Sequence, residues 1–442
     1  MRCWVLPPHE EAGVVEMNAM EEAWAKVMVP GCNGYNARCF VFENGPEETD
    51  VEAVRASFER ALSAYPALAG RWSDKGVEVR GGALFIAVRA KGAYLPRDRN
   101  CYGTLRNLAY YPSSAEVLKG DGPLASVKLT FFDDAAVLAL AASHAVCDGA
   151  TTWNFIEAWC KESKEQFPRS TLSHFLLTDD IYEELFFKYY GTKRPRRPND
   201  LLFRRSYFIL PIVERLWRWF GTSFFGERIS LEVSNVELAS LKKRAKALST
   251  QDALLCHVAK ALARNVKKPR VSAKIFLVYD PRTMVGLPAN QAAGCGFLDF
   301  AVVLEDLNNR DVVDLAKDMR AQLDAAKAVA KDLYSLLLTA FQRGEGFDAT
   351  FCMRQGILSS KSAATQKQDY DVQFCLNNQS KRRLPQFPGL PRPASTCLCE
   401  NAICALPTTD GIVLHLLLAS VKPSLSDPST RGAFIRDVMI FD

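Results

Sequence analysis

Ala135–Gly149 reads AAVLALAASHAVCDG, and this stretch carries the main structural signal of the chain. Its first eight residues are all apolar, as is typical of a β-strand that is buried on both faces. After Gly149 the apolar residues recur at helical spacing. Asp148 stands directly before that helix, where its side chain would cap the first turn. The stretch therefore predicts a buried strand that passes into a helix through a loop containing His144.

The residues before this stretch alternate between helix and strand patterns. Asp50–Ala64 has apolar residues at helical spacing, and Asp50 is placed to cap its start. Residues 72–88 read as short strands broken by glycines. Residues 124–132 alternate in polarity and lead through Asp133 and Asp134 into the buried strand, which predicts a β-hairpin.

The second half of the chain shows the same mixture. Ser234–Glu237 is a capping box that opens a helix. Further helix patterns cover residues 251–264 and 311–338, and strand patterns cover residues 273–279, 300–304, 371–376, 401–406 and 411–420. Both halves therefore combine helices and strands, which predicts an α/β fold.

The chain has 442 residues, which is too long for one compact core. We predict an N-terminal domain over residues 1–190 and a C-terminal domain over residues 227–442. Residues 191–226 lie between them and are rich in arginine, proline and aromatic residues. We interpret them as an interdomain crossover with an amphipathic helix that packs on the protein, and contact with a membrane surface is the alternative.

Composition and missing motifs exclude several classes of protein. The formal net charge is only +5, whereas nucleic-acid binding calls for a stronger basic excess. The first twenty residues lack a secretory apolar region, and no window is long and apolar enough to span a bilayer. The 13 cysteines include no C-x-x-C pair, which indicates reduced thiols in a cytoplasmic protein rather than a zinc site. The serine-hydrolase motif G-x-S-x-G, the P-loop and a G-x-G-x-x-G after a strand are also missing.

His144 is the candidate catalytic residue of this sequence. It alone among the five histidines is followed by an aspartate four residues later and then by a glycine. A histidine held rigidly at a strand end can take a proton at neutral pH and so act as a general base. Asp148 is better placed to fix the loop, with Gly149 permitting the turn. A structural histidine beside a helix-capping aspartate is the alternative, and these residues alone leave both open.

Four motifs in order resemble those of the BAHD acyltransferases along nearly the whole chain. They are ALSAYPALAGR at 61–71, SHAVCDG at 143–149, DALLCHV at 252–258, and Asp280-Pro281-Arg282 with Leu287-Pro288. The resemblance implies two chloramphenicol-acetyltransferase-like domains, each a mixed sheet flanked by helices, with a channel between them.

The resemblance also implies an activity. His144 would deprotonate a hydroxyl or amine of a small-molecule acceptor, of the kind found in specialised metabolism, which then attacks an acyl-CoA thioester. Asp148 would pair with Arg282 and keep the loop shaped. The family implies a cytoplasmic monomer with acyl-CoA as co-substrate, no permanently bound cofactor and no metal.

The C-terminal motif departs from the family pattern. The family has D-F-G-W-G, and the best match here is Asp371-Val372-Gln373-Phe374-Cys375. We retain Asp371 as a candidate catalytic residue by resemblance. Phe374 has no donor that could hold an oxyanion in place of the tryptophan.

The CoA phosphates are expected at the start of the helix that begins near Thr250 and Asp252, because helix N-termini favour phosphate. The basic residues Lys242, Lys243 and Arg244 are close in sequence. The alternative is an ordinary capped helix beside a solvated basic face.

Two other functions compete with acyl-CoA transfer. A condensation-type domain would join carrier-bound acyl groups, but that family prefers a second histidine where this chain has Ser143. A non-catalytic binding protein with a decayed site is the other alternative, favoured by the altered motif at Asp371.

Overall fold

The structure is a computed structural model, which describes residues 1–8, 13–26, 35–43, 50–95, 108–163, 165–168, 172–195, 227–247, 249–264, 266, 268–290, 298–346, 372–378, 383–393, 395–398, 404–418, 420–421 and 437. The strands are β1 Arg2–Leu6, β2 Val14–Val15, β3 Tyr35–Glu43, β4 Arg71–Ser73, β5 Gly76–Glu78, β6 Ala83–Arg89, β7 Ala125–Phe131, β8 Ala135–Ser143, β9 Glu227–Ser234, β10 Ala273–Tyr279, β11 Leu298–Leu304, β12 Val372–Asn378, β13 Ser395–Leu398, β14 Cys404–Pro407, β15 Gly411–Leu418 and β16 Ser420–Val421. The helices are α1 Ala19–Lys26, α2 Val51–Ala61, α3 Ser114–Leu118, α4 Gly149–Cys160, α5 Asp179–Tyr190, α6 Asn235–Arg244, α7 Thr250–Arg264, α8 Val312–Ala328 and α9 Ala330–Gln342.

A six-stranded mixed sheet organises the first half, in the order β1-β6-β7-β8-β3-β13. The predicted hairpin is present, because β7 and β8 pair antiparallel, while β6 and β7 pair parallel. Every residue of β8 is buried, as its apolar run predicts. Its central position in the sheet gives the loop at its end a rigid support.

The edge strand of this first sheet comes from the far end of the chain. β13 pairs antiparallel with β3, so that Cys397 lies opposite Cys39. Phe387, a few residues earlier, packs edge-on against Phe40 of β3 and Trp159 of α4. The first core therefore contains residues from both halves of the chain.

The second half forms a mixed sheet in the order β11-β10-β12-β14-β15-β9, with β16 beside β12. Helices α6, α7 and α8 pack on one another, and their apolar residues share a core with strands of this sheet. The predicted capping box opens α6, with the side chains of Ser234 and Glu237 bonding each other's backbone N–H groups. Two mixed sheets with flanking helices confirm the predicted α/β class.

Three predictions about local structure are wrong. Asp50 makes no side-chain cap, because its own backbone is already helical, with φ −77° and ψ −11°. Gly149 is the first residue of α4 and its backbone is not in the left-handed region, so the turn does not depend on glycine's freedom. The helix predicted over 311–338 is two helices, α8 and α9, because the backbone of Val329 leaves the helical region. α8 packs on the second core, whereas α9 belongs to a third core with α5.

Within the described ranges, no helix is long and apolar enough to cross a membrane. Most of the predicted crossover, residues 196–226, lies outside the described residues. The domain limits at 190 and 227 stay a prediction.

Candidate active site

His144 lies on a tight turn directly after β8, and its side chain is partly exposed. The turn is held by Ser143, whose carbonyl accepts from the backbone N–H groups of Val146 and Cys147. The Ser143 hydroxyl also accepts from the N–H of Ala145 at 3.2 Å. These bonds fix the backbone on the C-terminal side of the histidine.

A second contact holds the same turn from α2's side of the sheet. The hydroxyl of Tyr65 donates to the carbonyl of Val146, and both residues are buried. Tyr65 belongs to one of the four motifs, but no role was predicted for it. The spacing to Val146 is 81 residues, so sequence alone gives no signal for this bond.

Asp148 caps α4, as predicted. Its Oδ1 accepts from the backbone N–H of Thr151 at 2.7 Å. Its Oδ2 accepts from Nη2 of Arg282 at 2.7 Å, and the same nitrogen donates to the Thr151 hydroxyl at 2.9 Å. Both carboxylate oxygens are therefore engaged in holding the loop, which leaves Asp148 poorly placed to accept a proton from substrate.

Arg282 joins the two halves of the protein at this point. It follows β10 of the second sheet, and its side chain is 1% exposed. Its Nη1 donates to Oδ1 of Asp280 at 2.7 Å. Burial alone lowers the pKa of Arg282, but Asp148 and Asp280 more than offset this, so its pKa lies above the ordinary value. A further bond between the halves runs from Nδ2 of Asn154, on α4, to the carbonyl of Ala289 at 2.8 Å.

The surroundings of His144 favour a neutral ring. Burial lowers its pKa to about 4, Asp148 opposes that shift, and the positive charge of Arg38 adds to it. At pH 7 the imidazole is therefore neutral, which is the form that accepts a proton. Burial raises the pKa of the neighbouring Cys147 thiol to about 12, so this cysteine is not a thiolate nucleophile.

The predicted CoA residues have different surroundings from those expected. The hydroxyl of Ser249 caps α7, since it accepts from the N–H of Asp252 at 3.2 Å. The Asp252 carboxylate is 1% exposed and pairs with Arg320 of α8, whose Nε lies 3.0 Å from Oδ2. This buried pair stabilises the packing of α7 on α8, and the assignment of Asp252 to a CoA site stays a prediction. Thr250 is partly exposed at the first position of α7.

Three other candidate residues lie elsewhere in the sequence. Asp371 lies outside the described residues. His257 is buried in α7, as expected of a packing position, and His415 lies in β15. Within the part of the chain that the structure describes, no three acidic, histidine or cysteine side chains form a metal-binding group.

Part of the chain matches a known protein family. Residues 27–182, which include the His144 loop, match the model of the Transferase family. No curated protein matches the sequence.

Solved structures share the fold over nearly the whole chain. Vinorine synthase has a TM-score of 0.60 at 14% identity, over 96% of this chain and 95% of that one. TRI101 of F. graminearum, complexed with coenzyme A and T-2 mycotoxin, has a TM-score of 0.59 at 15% identity, over 94% and 97%. The first condensation domain of the CDA synthetase scores 0.58 at 14% identity, over 97% and 96%. These likenesses confirm the predicted fold and agree with the resemblance found in the motifs.

Proposed function

We propose that this protein is a BAHD-type acyltransferase, which moves an acyl group from a coenzyme A thioester to a hydroxyl or amine of a small molecule. One observation carries the proposal. A neutral and partly exposed imidazole stands on a loop that the buried Asp148–Arg282 pair fixes between the two halves of the protein. A catalytic base needs this combination of the right protonation state and a fixed position.

In the proposed reaction, His144 accepts the proton of the acceptor hydroxyl or amine as its oxygen or nitrogen attacks the thioester carbonyl. The tetrahedral intermediate collapses, the carbon–sulfur bond breaks, and the imidazolium returns its proton to the sulfur of CoA. The histidine ends the cycle neutral, so no covalent acyl-enzyme is required. Asp148 acts as a positioning residue, because its oxygens already bind Thr151 and Arg282.

The relatives support acyl-CoA as the donor. TRI101 of similar fold is known in complex with coenzyme A, and the Transferase family match includes the His144 loop. We keep Thr250 in the proposed CoA site, because it is partly exposed at the start of α7, a few residues after the exposed Lys242 and Lys243 in sequence. Asp371 is likewise retained as a proposed catalytic residue by resemblance.

A condensation-type reaction with carrier-bound donors is the second candidate, since a condensation domain shares the fold to a similar degree. The hydroxyl of Ser143 is used inside the turn, where it accepts from Ala145. This position therefore offers structural support instead of a second imidazole, which favours the acyl-CoA reaction.

The test is release of free CoA from acetyl-, malonyl- and aromatic-CoA donors with a panel of hydroxyl and amine acceptors. We expect His144→Ala to lower the rate by about 10²- to 10⁴-fold, the usual contribution of a general base. His174→Ala is the matched control, because that histidine is exposed on a short turn and should leave the rate unchanged.

Three results would redirect the proposal. Full activity of His144→Ala would remove the general base. Turnover of carrier-linked donors alone would favour the condensation reaction. No turnover of any thioester would favour a binding protein.

A further inference from the structure

Strand β3 places two polar side chains among buried apolar residues of the first sheet. Asn36 is 3% exposed and Arg38 is 2% exposed. They alternate with Ala37, so both lie on the same face of the sheet. Burying an amide and a guanidinium two residues apart is costly unless both find partners.

Neither side chain has a full set of hydrogen-bond partners among the described residues. Nη1 of Arg38 donates to the carbonyl of Ala37, its own neighbour, at 3.1 Å. Among the residues that the structure describes, Nε of Arg38 and Oδ1 of Asn36 have no hydrogen-bond partner. The amide and the guanidinium thus present an unused acceptor and an unused donor side by side.

Other buried arginines show the contrast. Arg282 binds the carboxylates of Asp148 and Asp280, and Arg71 donates to the backbone carbonyls of Gly70 and Gly81 at 3.0 and 2.8 Å. Arg38 has neither arrangement in the described parts of the chain. A buried guanidinium that no described carboxylate neutralises can bind an anion from outside the protein.

The location of Arg38 connects it to the reacting imidazole. Arg38 lies opposite Leu140 in β8, four residues before His144, and Asn36 lies opposite Ala142. Its charge reaches the His144 loop, where it lowers the pKa of both His144 and Cys147.

Phe40 is the next residue of β3 on the same face as Arg38. Its ring packs edge-on against Trp153 of α4. Helix α4 begins directly after the His144 loop, so this face of β3 lies against the helix that follows the loop.

We propose that Arg38 binds a carboxylate group of the substrate, with Asn36 accepting a hydrogen bond from a neighbouring donor on the same molecule. The inference rests on the proposed acyl transfer and adds a substrate class to it. A carboxylate matches the fork of guanidinium N–H groups in geometry and charge. The carboxylate belongs either to the acyl group, as in malonyl-CoA, or to a hydroxy- or amino-acid acceptor.

The experiment measures kcat/KM for matched pairs that differ in one carboxylate. Malonyl-CoA against acetyl-CoA tests the donor, and each hydroxy acid against its methyl ester tests the acceptor. We expect one of the two ratios to favour the acid in the wild type and to fall about 10- to 100-fold in Arg38→Met, the usual effect of losing a hydrogen bond to a charged group.

Two further variants define the result. Arg38→Lys keeps the charge and should fall between the wild type and Arg38→Met. Arg80→Met, which removes an exposed arginine paired with Glu78, should leave the ratios unchanged. Acid-to-ester and malonyl-to-acetyl ratios that are the same in wild type and Arg38→Met would overturn the proposal.

Thermal unfolding separates this inference from the proposed reaction. Arg38→Met should melt no lower than the wild type, because it removes a buried charge that no described carboxylate neutralises, at similar volume. If no thioester is turned over, the acyl-transfer proposal fails. In that case binding of benzoate tests the Arg38 site. Benzoate should raise the melting temperature of the wild type more than benzamide does, and this difference should disappear in Arg38→Met. A lower melting temperature of the variant together with equal protection by benzoate would mark Arg38 as structural.

Discussion

Replacing Asp148 by asparagine tests the central ion pair with the smallest change of shape. The variant keeps an oxygen for the Thr151 N–H, and asparagine caps helices about as well as aspartate. It removes the negative charge that lies 2.7 Å from Nη2 of Arg282. The effect therefore reports the ion pair between the two halves rather than the helix cap.

The expected magnitude follows from burial. Breaking a buried pair by removing one partner typically costs about 3–5 kcal/mol. Asp280 still binds Nη1 of Arg282 at 2.7 Å, so we expect the lower end, about 3 kcal/mol. At 2–4 °C per kcal/mol for a unit of this size, the melting temperature should fall by about 6–12 °C. The variant also removes the ion pair that holds the His144 loop. A displacement of the imidazole by about 1 Å should lower kcat about 100-fold.

The assay combines thermal unfolding with CoA release in a double-mutant cycle of Asp148→Asn and Arg282→Met. The double variant should lose less stability than the sum of the single variants, because each single change leaves an unpaired buried charge. Asp280→Asn is the control, since its carboxylate is 36% exposed and its loss should cost about 1 kcal/mol or less. Additive losses, or an Asp148→Asn protein that melts and turns over like the wild type, would refute the reasoning.

The remaining predictions concern pH and the second half. The pKa of His144 in the folded protein is about 4, so the base form persists as pH falls from 8 to 5. With an acceptor that does not titrate in this range, kcat/KM should therefore decline only toward pH 4. A midpoint near 6.5 in that profile would show an imidazole in water-like surroundings. Arg320→Met leaves the buried Asp252 carboxylate unpaired and should lower stability by about 3 kcal/mol, read as a lower melting temperature. Arg264→Met, at the end of α7, is the exposed control, and equal melting of both variants would contradict the role of the pair.

Local patterns predicted much of the fold. The apolar run of β8, the capping box of Ser234 and the cap of Asp148 each rest on residues that are close in the sequence, so sequence alone reveals them. The ion pair of Asp148 with Arg282 is present as the family resemblance implied. It joins residues 134 positions apart, and no local pattern could have indicated it.

Other features depend on tertiary placement. Asp252 looks like a residue of a helix N-terminus that faces solvent, but α8 covers it and supplies Arg320. Arg38 is the basic residue of a mostly apolar strand, and only the sheet order shows that it lies beside the His144 strand. The break at Val329 likewise reflects two separate cores that α8 and α9 serve.

The pairing of β13 with β3 has a consequence for synthesis of the protein in the cell. Translation at about 5–20 residues per second separates residue 43 from residue 395 by about 20–70 s. During that interval the growing chain carries an apolar strand whose free edge invites pairing with other chains. Chaperones that bind nascent chains would shield this edge, and a fragment cut after the first half would keep it exposed and aggregate.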